Sequence, residues 1–523
     1  MTTFLRIVSP VVLGVLSGFD RLMFRGHLRT LSFPGGMGLY CRANSVLYKD
    51  FKTHAQERTD RLIAASEGVA KQAGRPITYL RSSQARKEDL ARALAEQDKI
   101  ANGLIGMFTC VEPCSSFAVR SNRATKKLEL RPEFRKCLHL YHYYQHPLFG
   151  LTYARVQTWF PYAVQIGING REWLCRSLDA AGLKYRRADN CVTWVDDVAA
   201  AQKLLDDQVR LAWVPALEEI RRWVHPSHES LLGKFPVDYY WSLCQSEWAT
   251  DVLFSDRQEL QRRYEPWLRF AMMNHRSPDV LRFLGKKVPA TGRVNCRFGQ
   301  EVLSDVGHRV DGMRIKHRVG NNSIKMYDKA GTVLRVETTI QDPSEFQVLR
   351  PKASDPDGPP AWQPLRKGVA DVSRRAEVSQ ASNERYLESV AATQHGEALA
   401  AVTAGLSKRV KEPGAGRRAR GLNLLGDDAV LLEVVGRPEF ALNGLRNRDV
   451  VAGLYAKPAA TAAERKRRAS RATRCLRLLR AHGLLRKVPR SHRYRVTDSG
   501  RTVIAAVLAA RSAATAELVA KAA

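Results

Sequence analysis

The chain is short of acid. Against 84 Lys plus Arg it sets only 52 Asp plus Glu, a formal charge of +32 (84 − 52) and a pI near 10.1. A surplus of this size calls for a polyanionic partner, and nucleic acid is the commonest, because each neutralised phosphate releases a counterion. The chain also lacks any run of about 18 apolar residues, the length a membrane-crossing helix needs, so no membrane partner is expected. The apolar stretch Ile7 to Leu16 is short, contains Pro10, and runs on to Asp20 and Arg21 without a basic leader or small-residue cleavage site. The expectation is a cytoplasmic protein. A disulfide frame is missing too. The nine cysteines are odd in number and scattered from Cys41 to Cys475, as reduced thiols would be. Cys110 and Cys114 form a lone CxxxC with no second pair at zinc spacing. No internal repeat is found. What is present is 44% hydrophobic content over 523 residues, enough for genuine cores and a length for roughly three domains.

Three blocks are expected, giving an α+β chain. Residues 1–350 read as a large mixed body with antiparallel sheet, which one reading splits near 225. Within it, Phe51 to Ala73, Arg86 to Ile100, Gly170 to Ala181 and Ala199 to Val224 read as helices. Gly103 to Val111, Ser115 to Arg120 and Lys127 to Leu130 read as strands, and Thr152 to Ile168 as two strands joined at Pro161. Residues 351–420 read as a Pro- and Gly-rich linker, an exposed polar helical segment and a second, basic linker.

In the last block, 421–523, Asp427 to Val435, Asn447 to Leu454 and Glu464 to Ala481 read as helices, with Gly483 at the helix stop. Leu485 to Val488 and Arg493 to Thr497 then read as a hairpin. Between Thr461 and Arg501 stand 14 Lys or Arg and 2 acids, a balance of +12 (14 − 2). Cys475, Leu476, Leu478 and Leu479 give the third helix an inward face, while Arg467, Arg471, Arg474 and Arg477 can line an outward one. Arg490 and Arg493 fall at the hairpin tip. This order, and the segment RLLRAHGLLRKVPRSHRYRVTDSGR in particular, resembles the winged-helix family. The resemblance implies a basic helix in a major groove, phosphates on either side, and a wing reaching an adjacent groove.

The segment Arg314 to Ile340 reads as a hairpin. Lys325 and Tyr327 share one face of its first strand, and Arg335 and Glu337 share one face of its second. The pattern K-x-Y-x-K (Lys325, Tyr327, Lys329) followed by L-R-x-E (Leu334, Arg335, Glu337) is similar to a segment of rolling-circle replication initiators. Those are metal-dependent nickases that form a phosphotyrosine link with DNA. The resemblance implies Tyr327 as nucleophile, Glu337 at a Mg²⁺ or Mn²⁺ ion, and Lys325, Lys329 and Arg335 on phosphate. The His-apolar-His metal pair of many such initiators is absent. The nearest histidines are His139, His142 and His146.

A second catalytic expectation takes Asp20 and Glu112, at apolar strand ends, with Glu337 as a transposase-like metal set. A third reading has no catalysis: the aromatics from Tyr141 to Tyr162 stack bases, and the partner is a structured RNA. The favoured expectation is a DNA-binding protein of a mobile or replicating element that acts as an initiator or transposase-like nuclease. Its runner-up is a non-catalytic nucleic-acid-binding protein.

Overall fold

The computed structural model describes residues 3–286, 301–309, 312–352, 354–391, 399–412, 418–440, 444–489 and 491–513. Among them, eleven strands join in one sheet. In chain order they begin with β1 (Val12–His27), β2 (Ile77–Tyr79), β3 (Gly103–Asn122), β4 (Lys127–His146), β5 (Gly150–Gln157) and β6 (Val164–Asn169). A small separate hairpin follows, β7 (Tyr185–Arg187) with β8 (Val192–Val195). The sheet then resumes with β9 (Tyr240–Phe254), β10 (Val302–Arg309), β11 (Gly312–Val319), β12 (Asn322–Lys329) and β13 (Val333–Ile340). In space the order is β10-β11-β12-β13-β9-β1-β6-β5-β4-β3-β2, antiparallel throughout except for β2 on β3. The described chain is thus α+β with an antiparallel sheet.

Several elements differ from expectation in extent. The short strands expected between Gly103 and Leu130 are one long hairpin, β3–β4. Ala199 to Val224 is two helices, Val198–Val209 and Trp213–Val224. The strand–helix corner after β6 forms as expected, and the side chain of Asn169 accepts from the amides of Arg171 and Glu172.

The expected exposed polar helix is corrected. Val372–Ala391 is helical, but Arg375, Ser379, Asn383 and Tyr386 on it are buried against β9 and β13. Its polar residues meet strand groups rather than water, so polarity did not report exposure. The Asn383 amide donates to the carbonyls of Trp248 (3.1 Å) and Val336 (3.0 Å) and to Thr250 Oγ1 (3.1 Å). It also accepts from Thr338 Oγ1 at 2.7 Å. Asn383→Ala should cost about 3 kcal/mol, since several buried groups lose partners at once. Denaturant unfolding checks this, and a loss below about 1 kcal/mol would show that the clamp holds nothing. The expected linker at 351–364 also contributes structure: Ala361–Pro364 pairs with Gln347–Arg350.

On the fully buried strand β13, Leu334, Val336 and Thr338 face this helix and its apolar core. Arg335 and Glu337 point to the opposite side, because strand side chains alternate.

After residue 420 the described helices are Ala429–Val435, Asn447–Leu454, Ala462–Ala481 and Asp498–Ser512, with a hairpin of Leu485–Lys487 and Tyr494–Val496. They enclose a separate core that includes Leu432, Val450, Leu476, Leu479 and Ile504. Thr461 caps the long basic helix by accepting from the Glu464 amide. Gly483 stops it at φ +71°, a conformation that favours glycine.

Candidate functional site

The polar face of the sheet concentrates charge where β1, β9, β12 and β13 meet. In β1 the pairing with β9 runs Phe19↔Trp248 and then Arg21↔Glu247, so Asp20 is the extra residue of a β-bulge. A bulge re-aims its side chain. Here it turns Asp20 to the same face as Glu247 of β9 and Glu337 of β13. Among the described residues these three carboxylates form one metal-compatible group, with one oxygen of each within 4.8 Å of the others.

Cations and a phenol surround them. Lys325 Nζ lies 2.5 Å from Glu337 Oε1, and the Tyr327 hydroxyl donates to Glu337 Oε2 at 2.8 Å. Arg335 is fully buried. It grips Asp251 through two nitrogens (2.5 and 2.8 Å) and Asp20 through a third (2.8 Å). Arg171, also buried, reaches Asp251 at 3.0 Å and Asp20 at 3.6 Å. Asn190, from the turn of the β7–β8 hairpin, donates to Asp20 at 3.0 Å. The Gln245 amide donates to Glu247 Oε1 at 3.1 Å.

Four carboxylates (Asp20, Glu247, Asp251, Glu337) face Lys325 and the buried cations Arg171 and Arg335, and exposed Arg21 stands opposite Glu247 in the strand register. Burial, and then the charge of Glu337, push the Glu247 carboxyl up to about 7. Glu337 goes the other way. Burial pulls its pKa upward, but Lys325 and Arg335, with the hydrogen bonds from Lys325 and Tyr327, outweigh burial and leave it at about 2. Burial and the Glu337 charge raise the Tyr327 phenol well above its ordinary value, so it stands protonated as a donor.

The oxygens suit a hard divalent ion. Ligands around Mg²⁺ at about 2.1 Å lie roughly 3–4 Å apart, a spacing this group reaches with small shifts. Asp20, Glu247 and Glu337 would hold the ion, with Glu247 the ligand that must lose a proton.

The structure therefore brings together Asp20, Glu337, Tyr327, Lys325 and Arg335. It does not bring Glu112. That residue lies on β3, four strands from β1, and is held by Tyr141 (2.7 Å), Arg155 (2.7 Å) and Lys87 (3.5 Å), so its place among the metal ligands is corrected. Arg335 is corrected as a phosphate contact, because its guanidinium is enclosed by Asp20 and Asp251. Lys329 is 4% exposed and pairs with Asp189 at 3.7 Å, so it too does not face an incoming backbone. Glu247 was missed. Its signal is the SEWATD run, in which Glu247 and Asp251 share a strand face.

The histidines His139, His142 and His146 lie on β4, all buried, and burial lowers each to about 4. Trp159, Phe160 and Tyr162 are core residues rather than a stacking platform.

Beyond residue 420, Arg467, Arg471 and Arg474 are exposed on the basic helix, while Arg477 turns to Glu412 at 3.8 Å. Arg490 lies outside the described residues. Arg493 directly precedes the hairpin's second strand; its amide donates to Ser491 Oγ at 3.2 Å and its carbonyl accepts from the Val488 amide at 2.9 Å. A groove of about 520 Å³ opens between helix and hairpin, lined by Arg446, Arg448, Lys466, Ser470, Thr473 and Lys487. Sequence reasoning missed this stripe, although Lys466, Ser470 and Thr473 recur at i, i+4 and i+7.

No protein-family model, curated protein or solved structure matches the chain. No helix among the described residues is long and apolar enough to cross a membrane.

Proposed function

We propose that the protein is a metal-dependent DNA-strand-cleaving enzyme of a mobile or replicating element, with Asp20, Glu247 and Glu337 as its metal ligands. The convergence of these carboxylates from three adjacent strands, with the Tyr327 hydroxyl on Glu337, carries the reading. A bound Mg²⁺ or Mn²⁺ supplies charge neutralisation at a phosphate. Tyr327 is the nucleophile. Its oxygen forms a bond to phosphorus as the bond from phosphorus to the leaving sugar oxygen breaks. The phenol proton passes to Glu337, and the leaving oxygen takes its proton from water. Lys325 holds Glu337 in place and offsets its charge.

Residues 421–513 act as a winged helix that grips the substrate. The three-helix order, the hairpin, and an antiparallel bridge from Leu445 to Tyr494 (2.8 Å in both directions) support this. Replacing Arg467, Arg471 and Arg474 together with Ala should weaken binding to all sequences and flatten the salt slope by about one unit per lost phosphate contact. Lys466→Ala with Lys487→Ala should do the same if the groove carries the backbone. An unchanged slope in both would place the grip elsewhere.

Incubating the protein with labelled single-stranded DNA and Mn²⁺, then resolving it under denaturing conditions, tests the catalysis. A covalent adduct lost in Tyr327→Phe supports the tyrosine route. Nicking without an adduct keeps the acid cluster and removes the tyrosine. Neither product favours the second reading, a non-catalytic nucleic-acid-binding protein with a structured RNA as partner. Lys325 supports that reading, since it already neutralises Glu337 without a metal.

A further inference from the structure

The row of the sheet next to Glu247 carries a cleft that the proposed chemistry does not use. Sheet register places Gln245, Met23, Gly167, Tyr153 and Tyr143 side by side across β9, β1, β6, β5 and β4. The parallel row holds Glu247, Arg21 and Asn169. Three inter-strand spacings, roughly 14 Å, separate the strand of Glu247 from that of Tyr153. A cleft of about 300 Å³ opens over this row. That is the lower end for a ligand pocket, enough for one nucleoside and too little for a duplex.

Its walls are aromatic and fixed. The rings of Tyr143 and Tyr153 stack at 5.6 Å and 29°. The Tyr153 ring lies directly over Gly167, where an added Cβ would stand 2.1 Å from it, so only glycine leaves the ring in this position. Gln165 donates to the Tyr153 hydroxyl at 2.8 Å. Tyr141 completes the wall, with Lys87 Nζ 4.7 Å from its ring centre. Exposed Arg21 stands between the cleft and the carboxylates, and at the other end Lys87, paired with Glu112, and Glu88 line the wall beside Tyr141. Gln245 links the two places, since it lines the cleft and donates to Glu247.

We infer that this cleft is a nucleobase subsite, which takes one unstacked base of a single strand whose backbone passes Arg21 toward Asp20, Glu247 and Glu337. The inference rests on the strand-cleavage reading for its direction, and it names the substrate as single-stranded or locally opened. Aromatic faces bind any base, so the subsite is sequence-tolerant. Of the three acids, Glu247, bonded to Gln245 of the cleft, keeps partial exposure, while Asp20 and Glu337 are buried.

Photocrosslinking tests it, using the full chain, EDTA, and single-stranded oligonucleotides carrying 5-iodouracil, in deoxy and ribo forms run in parallel. Crosslinks should map by mass spectrometry to the peptide spanning Tyr141 to Tyr153, and the form that reacts identifies the sugar accepted. Tyr153→Leu should weaken crosslinking at that peptide about tenfold or more, while Tyr153→Phe, which keeps the ring, should retain it. Crosslinks confined to residues 446–494, or equal loss in both variants with folding intact, would overturn the inference. Cleavage activity separates the two claims. A cleft crosslink without cleavage supports the subsite and removes the nuclease. Cleavage without a cleft crosslink removes the subsite alone.

Discussion

Glu247→Gln is expected to make the metal-free protein more stable and at the same time inactive. Its carboxyl stands at about 7 in the folded chain against an ordinary value near 4.5. A carboxyl raised in this way contributes stability that is full below pH about 4.5 and is lost as pH rises through about 7. At pH 8 the wild type therefore bears the whole cost of ionising it, roughly 3 kcal/mol at 1.36 kcal/mol per pKa unit. The side chain is 17% exposed, so solvent relieves little of this. Glutamine carries no charge and fills nearly the same space. The thermal midpoint in EDTA at pH 8 should rise by a few degrees. Mn²⁺ should stabilise the wild type and leave the variant unmoved, because stabilisation by a ligand requires binding. A structural carboxylate with no metal role would give the first effect without the second. Glu337→Gln is a poorer probe, since it strands Lys325 in a buried site and destabilises whatever its chemistry.

Acid should unfold the protein near pH 5. His139, His142, His146, His225, His228 and His317 are each 5% exposed or less. Burial lowers all six, the first three and His317 to about 4 and His225 well below its ordinary value. A group lowered in this way leaves stability intact above its unfolded value of 6.5 and erodes it as pH falls toward 4. At pH 5 each histidine at about 4 costs roughly 2 kcal/mol. The four at about 4 together remove roughly 8 kcal/mol, the order of a domain's whole stability. Glu247 works in the opposite direction between pH 7 and 4.5, but it is one group against six. Urea midpoints measured from pH 8 to 5 should fall steeply, with several protons taken up on unfolding. A flat profile down to pH 5 would show that these histidines are not held neutral.

Much of the candidate site was legible in local sequence, because Lys325, Tyr327, Arg335 and Glu337 lie on one hairpin and strand alternation alone puts them together. Asp20 was named, but nothing local shows the bulge that turns it. Glu247 was missed because its meeting with Asp20 and Glu337 depends on β9 lying between β1 and β13, a pairing across more than two hundred residues of chain. Glu112 misled for the same reason. It ends an apolar run of sequence, as Asp20 nearly does, yet its strand sits on the far side of the sheet, where Tyr141, Arg155 and Lys87 already satisfy it. The helix Val372–Ala391 was found in the right place and given the wrong surroundings, since Arg375, Ser379 and Asn383 look solvated until their strand partners are known. The helices after residue 420 were easier, being short-range and marked by Thr461 and Gly483.

The most direct measurement follows labelled single-stranded DNA with wild-type protein, Glu247→Gln and Tyr327→Phe, in Mn²⁺ and in EDTA, on a denaturing gel. The wild type should give a cut strand and a slow-moving covalent adduct in Mn²⁺ only. Glu247→Gln should give neither while remaining folded, and Tyr327→Phe should lose the adduct while binding DNA as tightly as before. A wild type that binds the DNA but neither cuts nor couples to it in Mn²⁺ would contradict the account, and would leave Asp20, Glu247 and Glu337 as a buried structural cluster in a binding protein.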